Sequence, residues 1–255
     1  MLFAIIFRVY LLTATNLEKS FTGRKVVDHV SFAVAEGEIV GLLGRNGAGK
    51  TTSFRMAMGM ITPEAGKVVF NGNDVTALPM YQRARLGMGY LAQEPSIFPR
   101  LSVLDNLLAI LETRSNLTRA EQKTRASELL AKFHLAHVAK QLARTLSGGE
   151  RRKLEIARAL ITEPTIMLLD EPFHGVDPIA VEELQAEVTR LRDSDGIATL
   201  ITDHNERRIL QMCDRVYVIF EGKVFAEGTP AEIVKNELVR KRYLGESLKA
   251  EDFER

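Results

Sequence analysis

Cysteine occurs once in this 255-residue chain, at Cys213, which excludes an internal disulfide framework and any metal centre built on several thiolates. A reducing, cytosolic setting fits that scarcity. Charge of one sign is lacking too: 34 Lys and Arg stand against 33 Asp and Glu, and a formal net charge of +1 argues against bulk nucleic acid as a partner. No apolar run is long enough to cross a bilayer, which takes about 20 residues. The stretch that comes nearest, Met1 to Leu12, is interrupted by Arg8 and has neither a positive n-region nor a convincing small-residue cleavage site, so it does not read as a secretory signal. Residues 1–11 read instead as an upstream extension of the start or a short strand on the core. A membrane role therefore requires a separate partner. The rest of the composition, 45% apolar and 26% charged, is that of an ordinary globular protein, long enough for one large domain or two small ones.

What the chain does have is Gly44-Arg45-Asn46-Gly47-Ala48-Gly49-Lys50-Thr51, directly behind the apolar run Ile39 to Leu43. The octapeptide fits G-x-x-x-x-G-K-[ST], the phosphate-binding P-loop. Its glycines let successive backbone N–H groups turn toward one anion, and the helix expected from Lys50 onward aims its positive end at the same point. Lys50 adds a mobile charge for the outer phosphates, the Thr51 hydroxyl is placed to ligate Mg²⁺, and Thr52 follows in the same turn.

Around this loop the chain alternates strands and helices. Short strands are expected at Thr13 to Leu17, Val26 to Val34 and Ile39 to Leu43. Phe21, in a turn between them, reads equally as a half-buried turn aromatic or as a platform for an adenine ring. A strand over 87–92 ends in Gln93, which is either a plain loop amide or a ligand to Mg²⁺ or its water. From Glu94 to about Leu146 the pattern is helical. Ser102 with Asp105 forms a cap, Val103, Leu104, Leu107, Leu108 and Leu111 share one face, and a second helix runs from Arg119 to Phe133.

Ser147 and Glu150 then make a capping box ahead of a helix over 151–161, and Gly148 and Gly149 leave N–H groups uncovered for a second anion. The run Thr165 to Leu169 reads as a strand buried on both faces, ending abruptly in Asp170 and Glu171. Strand alternation sends these carboxylates to opposite sides, Asp170 toward a hydrated Mg²⁺ and Glu171 toward an attacking water. Gly175-Val176-Asp177-Pro178 makes a turn, and Pro178 opens a helix over about 179–192. A last core strand over 197–202 leads to Asp203 and His204, at the edge where open α/β sheets bind ligands. A hairpin over 216–226 follows, and then a charged helical tail with Tyr243-Leu244-Gly245 as its apolar anchor.

In order and spacing, the P-loop, Gln93, Leu146 to Glu150, Ile166 to Glu171, Asp177 and His204 resemble the nucleotide-binding subunits of ABC transporters. The resemblance covers about 12–246 and implies an α/β fold. That fold is a RecA-like P-loop NTPase core with an antiparallel β subdomain and an α-helical subdomain inserted at about 94–162, followed by a charged tail over 247–255. It implies an ATPase that uses ATP and Mg²⁺. Two copies would pair head to tail, each ATP lying between the P-loop of one and Ser147, Gly148 and Gly149 of the other.

In that scheme Glu171 is the general base, His204 contacts the γ-phosphate, Asp170 and Gln93 serve the metal with Thr51, Phe21 stacks on adenine, and Asp177 couples the two sites. Phe21 stands where Tyr is frequent, and His174 stands beside the dimer seam where a small residue usually precedes Gly-Val-Asp. Within the family, 89–98, 101–107, 146–160, 169–178, 200–205 and the ending Tyr243-Leu244-Gly245-Glu246 are similar to the ATPases of lipopolysaccharide export. This implies a peripheral subunit on the cytoplasmic face of the inner membrane, bound only through two transmembrane partners whose coupling helices meet Phe98 and Leu101. Val103 and Leu104 are expected in the subdomain core.

The alternatives are the ATPase of a branched-chain amino-acid importer, whose tail is also similar, and a soluble ABC protein of translation or DNA repair. The second usually carries two nucleotide units or a long coiled coil, and this chain has one P-loop and no heptad run. A nucleotide-dependent switch without turnover is disfavoured by the Glu171 carboxylate.

Overall fold

The structure is a computed structural model that describes residues 9–114, 117–245, 248 and 250–253. The first eight residues of the N-terminal stretch, and Glu246, Ser247, Lys249, Glu254 and Arg255 of the tail, lie outside the described residues.

Two sheets organise the chain. Strands β1 (Tyr10–Phe21), β2 (Arg24–Ala35), β4 (Ala65–Phe70) and β5 (Asn73–Asp74) form an antiparallel sheet in the order β2-β1-β4-β5. Tyr10 and Leu11, read from the sequence as part of an extension or of a short strand on the core, are the first residues of β1, with Leu11 buried. The second sheet, ordered β10-β9-β3-β8-β7-β6, contains β3 (Ile39–Leu43), β6 (Met88–Leu91), β7 (Ile166–Asp170), β8 (Ala198–Thr202), β9 (Arg215–Phe220) and β10 (Lys223–Gly228). It is parallel from β9 through β3, β8 and β7 to β6, and antiparallel only at the β9–β10 edge. Every residue of β3, β7 and β8 is buried, as expected where both faces of a parallel sheet are covered.

Helix α1 (Lys50–Met58) lies between the sheets, touching β1 and β2 on one side and β7 and β8 on the other. Phe54, Met56 and Met58 fill the gap with Leu12, Val34, Val68 and Leu200. The opposite face of the large sheet carries α3 (Val103–Leu111), α4 (Arg119–Lys132), α5 (Gly148–Ala159), α6 (Pro178–Asp195) and α7 (Glu206–Met212), which share one continuous apolar core. Each of these five helices opens on a side-chain cap, from Ser102, Thr118, Ser147, Asp177 and Asn205 respectively. Helix α5 begins at Gly148, three residues before the sequence reading placed it, because Ser147 is the cap and its neighbours are already helical. No helix among the described residues is long and apolar enough to cross a membrane.

The far end of α1 depends on a residue that no local pattern marks. Arg83, on α2 (Met80–Arg85), is 1% exposed and donates to the carbonyls of Met56 and Ala57 at 2.9 and 2.6 Å, and to those of Leu78 and Thr76 at 2.8 and 3.0 Å. Met56 and Ala57 lie in the last turn of α1, where a helix end leaves carbonyls short of partners. Burial lowers the guanidinium pKa to about 10, and the charge is held by carbonyl dipoles. Arg83→Ala orphans several buried carbonyls at about 1–3 kcal/mol apiece, so urea unfolding should show a loss of about 3 kcal/mol or more.

Candidate active site

All the sequence-predicted groups on the large sheet gather at the carboxyl ends of its parallel strands. The P-loop leaves β3, Gln93 follows β6, Asp170 ends β7, and Asp203 and His204 follow β8. At the loop itself, Gly44 and Gly49 have φ of 151° and 102°, and a Cβ on either would lie 2.2 Å from the Ile219 carbonyl or 2.6 Å from the Val26 carbonyl. Only glycine fits there. Gly49 caps α1 without a side chain and the first turn holds no acidic residue, so the helix end is open to an anion.

Arg45, Asn46 and Gly47 are exposed, Ala48 is buried, and Thr51 and Thr52 are half-buried in the first turn. Lys50 is buried and folded back into the loop, donating to the Gly44 carbonyl and, at 3.2 Å, to that of Arg45. Burial lowers its pKa, opposed by the carboxylates of Glu171, Glu206 and Asp203. It is thus a desolvated cation held by two carbonyls, ready to exchange them for phosphate oxygens.

Asp170 is fully buried, and neither of its oxygens has a hydrogen-bond partner. The Nε of Arg55 lies 4.0 Å away. Burial raises the carboxyl pKa, with Arg55 pulling it down and Glu171 pushing it up. Glu171 does not continue the strand. It stands at φ 46°, a left-handed conformation uncommon for glutamate, with its N–H on the Thr202 carbonyl at 2.8 Å. Asp170 closes β7 and Glu171 leaves the strand in a left-handed turn, so the strand alternation expected from the sequence does not describe this pair. Gln93 Nε2 donates to Glu171 Oε2 at 2.9 Å, and His204 Nδ1 lies 3.8 Å from the same oxygen. Asp203 is buried and accepts from the Asn205 N–H at 2.9 Å.

Ser147, Gly148 and Gly149 lie elsewhere. Gly148 and Gly149 pack against Gly175 and Ala180 of the segment opening α6, and among the described residues no hydrogen bond joins them to the P-loop. In the capping box the Ser147 and Glu150 N–H groups are bonded to each other's side chains, at 2.9 and 3.3 Å, so the box leaves the N–H groups of Gly148 and Gly149 out. Asp177 is exposed and caps α6 through Oδ1 on the Ala180 N–H at 3.0 Å. Phe21 ends β1 with its ring 44% exposed.

Several residues outside the sequence reading complete the arrangement. Arg152, buried on α5, donates to the carbonyls of Ala92 and Gln93 at 2.7 and 2.6 Å. Glu155 accepts from the Ser96 N–H at 2.5 Å, and Arg158 donates to the Ser96 carbonyl at 2.6 Å while lying 4.6 Å from the Phe98 ring centroid. The helix after Gly149 therefore holds the segment after Gln93. A cavity of about 220 Å³ lies between them, lined by Gln93, Arg152, Glu155, Gly148, His174 and Val176 among others.

Beyond this segment, buried Asn106 bonds the N–H and carbonyl of Phe98 at 2.8 and 3.0 Å and the Ser102 carbonyl at 2.9 Å. Phe98 and Leu101 are thereby presented at 41% and 37% exposure beside Leu142 at 38%, while Val103 is buried and Leu104 packs against the core. Tyr243, expected only as an apolar anchor, accepts the Gly44 N–H at 3.0 Å and ties the tail to the P-loop. Burial raises the Tyr243 phenol pKa, with Glu206 adding to the shift.

The family model described as "ABC transporter" matches residues 27–174, more than half of the chain. The chain belongs to the ABC transporter family. It is 51% identical over 238 residues, 93% of this chain and 98% of the relative, to the lipopolysaccharide export system ATP-binding protein LptB of Escherichia coli K12. The LptB of Haemophilus influenzae is 51% identical over 239 residues, 94% of this chain and 99% of that protein. An uncharacterized ABC transporter ATP-binding protein of Rhizobium meliloti is 54% identical, covering 92% and 87% of the two chains. Among solved structures, the ADP conformation of an ATP-binding cassette of an ABC transporter superposes with a TM-score of 0.83 at 29% identity, covering 93% of this chain and all of that one. A model described as "Branched-chain amino acid ATP-binding cassette transporter" also matches residues 223–248. The fold is that of the P-loop NTPases, and ATP binding and hydrolysis are the chemistry of this chain.

Asp170 offers a check on the electrostatics. Its folded-state pKa lies above the ordinary carboxylate value, so the folded chain holds more protons than the unfolded one between those two values, and stability falls as pH rises through that window. Asp170→Asn should raise the melting temperature of the nucleotide-free protein at pH 7. The gain should fade as pH falls toward the carboxylate range, where the wild-type group is neutral too.

Proposed function

We propose that this chain is the ATPase that powers lipopolysaccharide export from the inner membrane, working as a head-to-tail homodimer beneath two transmembrane partners on the cytoplasmic face. The observation that carries the transport reading is identity of 51% over almost the whole of both chains to LptB, whose name states that export role. Import of branched-chain amino acids has a specific observation in its favour, the match over 223–248. That match covers only the second strand of the β9–β10 hairpin and the tail, whereas the LptB likeness runs through the nucleotide site and the Phe98 surface.

The dimer is supported by the division of the site. The P-loop and the open N-terminus at Ser147 to Gly149 belong to one chain yet face different neighbours, so a second copy is needed to bring two anion-binding helix ends to one nucleotide. An isologous pairing does this twice at once. Asp177, exposed beside Gly148, stands where such a seam would run and would couple the two sites.

In each half, the loop N–H groups of 45–49, with Lys50, Thr51 and Thr52, would hold the phosphates, and the exposed Phe21 ring would stack on adenine. The buried oxygens of Asp170, which accept no hydrogen bond, suit a hydrated cation, so Asp170, Thr51 and Gln93 would hold Mg²⁺. When bound, Mg²⁺ neutralises charge on the β- and γ-phosphates. Glu171, steered by the Gln93 amide, would take the proton of the attacking water, and His204 would stabilise the charge that develops on the γ-phosphoryl group.

Glu171→Gln should bind ATP, accumulate as a nucleotide-held dimer by size-exclusion chromatography and lose turnover by about 10² to 10⁴-fold. Near-wild-type hydrolysis in that variant would remove the general-base role. For the membrane side, the half-exposed Phe98 and Leu101 mark the receiving groove. Leu101→Asp should abolish co-purification of the membrane partners from mild detergent while the chain still folds, because losing the buried part of a side chain that is 37% exposed costs roughly 1–2 kcal/mol. Recovered partners that carry lipopolysaccharide, and not an amino-acid-binding protein, would decide between export and import.

A further inference from the structure

His174 has no part in the scheme above, yet it stands beside the two residues on which that scheme depends. Glu171, His174 and His204 each direct one donor atom into a common space, and the three donors lie within 4.8 Å of one another. His204 Nδ1 is 3.8 Å from Glu171 Oε2, and the two imidazole rings meet edge to face with centroids 6.1 Å apart.

The backbone builds this convergence. The left-handed Glu171 turns the chain so that the His174 N–H bonds the Glu171 carbonyl at 3.2 Å, which puts the i and i+3 side chains on one side of a tight turn. The Glu171 N–H on the Thr202 carbonyl at 2.8 Å then sets this turn against the end of β8, two residues before His204. The donors come from two elements held in register by the sheet.

We infer that Glu171, His174 and His204 form a binding site for a transition-metal dication of the Zn²⁺ class. Two imidazole nitrogens and one carboxylate oxygen are a donor set that Zn²⁺ accepts at about 2.0–2.2 Å with a fourth position open. Donors at that range around a tetrahedral ion sit roughly 3.3–3.5 Å apart. His174 and His204 are both exposed, and the site requires their side chains to rotate so that donors now within 4.8 Å close to that spacing.

Gln93 Nε2 already orients the Glu171 carboxylate at 2.9 Å, as outer hydrogen bonds do for metal-bound carboxylates. Mg²⁺ demands oxygen ligands and does not compete for two imidazoles. Lys50 is the cation that acts on Glu171 from the P-loop side, and it is bonded to two carbonyls of its own loop. A metal here ties the proposed base to the proposed γ-phosphate contact and so idles the subunit. This consequence, unlike the binding itself, rests on the roles proposed for Glu171 and His204.

The test uses the full chain after chelator dialysis. Calorimetric titration with Zn²⁺ should give one site per chain that millimolar Mg²⁺ does not displace, and Co²⁺ should show the visible absorption of a tetrahedral N/O site. His174→Ala should weaken Zn²⁺ binding by at least about 10–100-fold, and His174→Cys, which supplies another zinc ligand, should restore it. Turnover in Mg²⁺ alone should be close to wild type in His174→Ala. Added Zn²⁺ should inhibit the wild type at concentrations that leave His174→Ala active, a comparison that removes the effect of Zn²⁺ on ATP itself. Equal Zn²⁺ affinity in the wild type and His174→Ala would overturn the site. Binding that depends on His174 but leaves turnover untouched would uphold the site and count against the catalytic roles of Glu171 and His204.

Discussion

A parallel sheet covered on both faces tolerates charge only where its strands stop. In β3, β7 and β8 every residue is buried, and charged side chains begin only at the last residue or after it. Because the strands run the same way, these ends fall on one edge, and the P-loop, Asp170, Glu171, Asp203 and His204 are brought together by the apolar packing behind them. The desolvation that lowers the pKa of Lys50 and raises that of Asp170 is the same burial acting at its boundary.

This constraint also explains what could be read before the structure. The strands behind the P-loop and before Asp170 were legible because a short unbroken apolar run followed by charge has few other meanings in a chain of this composition. The capping residues Ser102 and Ser147 were legible because their partners lie three residues away. Arg83, Asn106, Arg152 and Tyr243 were not, since each is a polar side chain whose main partner is a backbone group of another segment. Arg83 meets carbonyls 26 and 27 residues away, and Tyr243 meets an N–H 199 residues away. Such bonds leave no periodicity in the sequence. The turnover of the backbone at Glu171 was hidden for a related reason: alternation describes a strand that continues, and this one ends at Asp170.

The placement of Ser147 to Gly149 and of His174 follows from the same architecture. Helix α5 packs beside α6, which brings the N-terminus of one against the loop that opens the other. That loop is the continuation of β7, so a substitution at His174 stands within reach of both the strand-end carboxylate and the surface expected to meet a second copy. A position with no marked role along the chain is therefore chemically connected in space.

The hold of α5 on the segment after Gln93 has a consequence for how such subunits are exchanged or redesigned. Arg152, Glu155 and Arg158 reach across 59 to 62 residues of chain to grip backbone atoms of Ala92, Gln93 and Ser96, and Arg158 also lies against Phe98. The loop that carries Phe98 and Leu101, proposed to meet the membrane partners, owes its shape to one face of the helix that begins at Gly148. Grafting residues 92–102 alone into another cassette would move this loop without its support. The smallest portable piece is the loop together with the α5 face beneath it, and recombination between relatives is expected to inherit the two as one block.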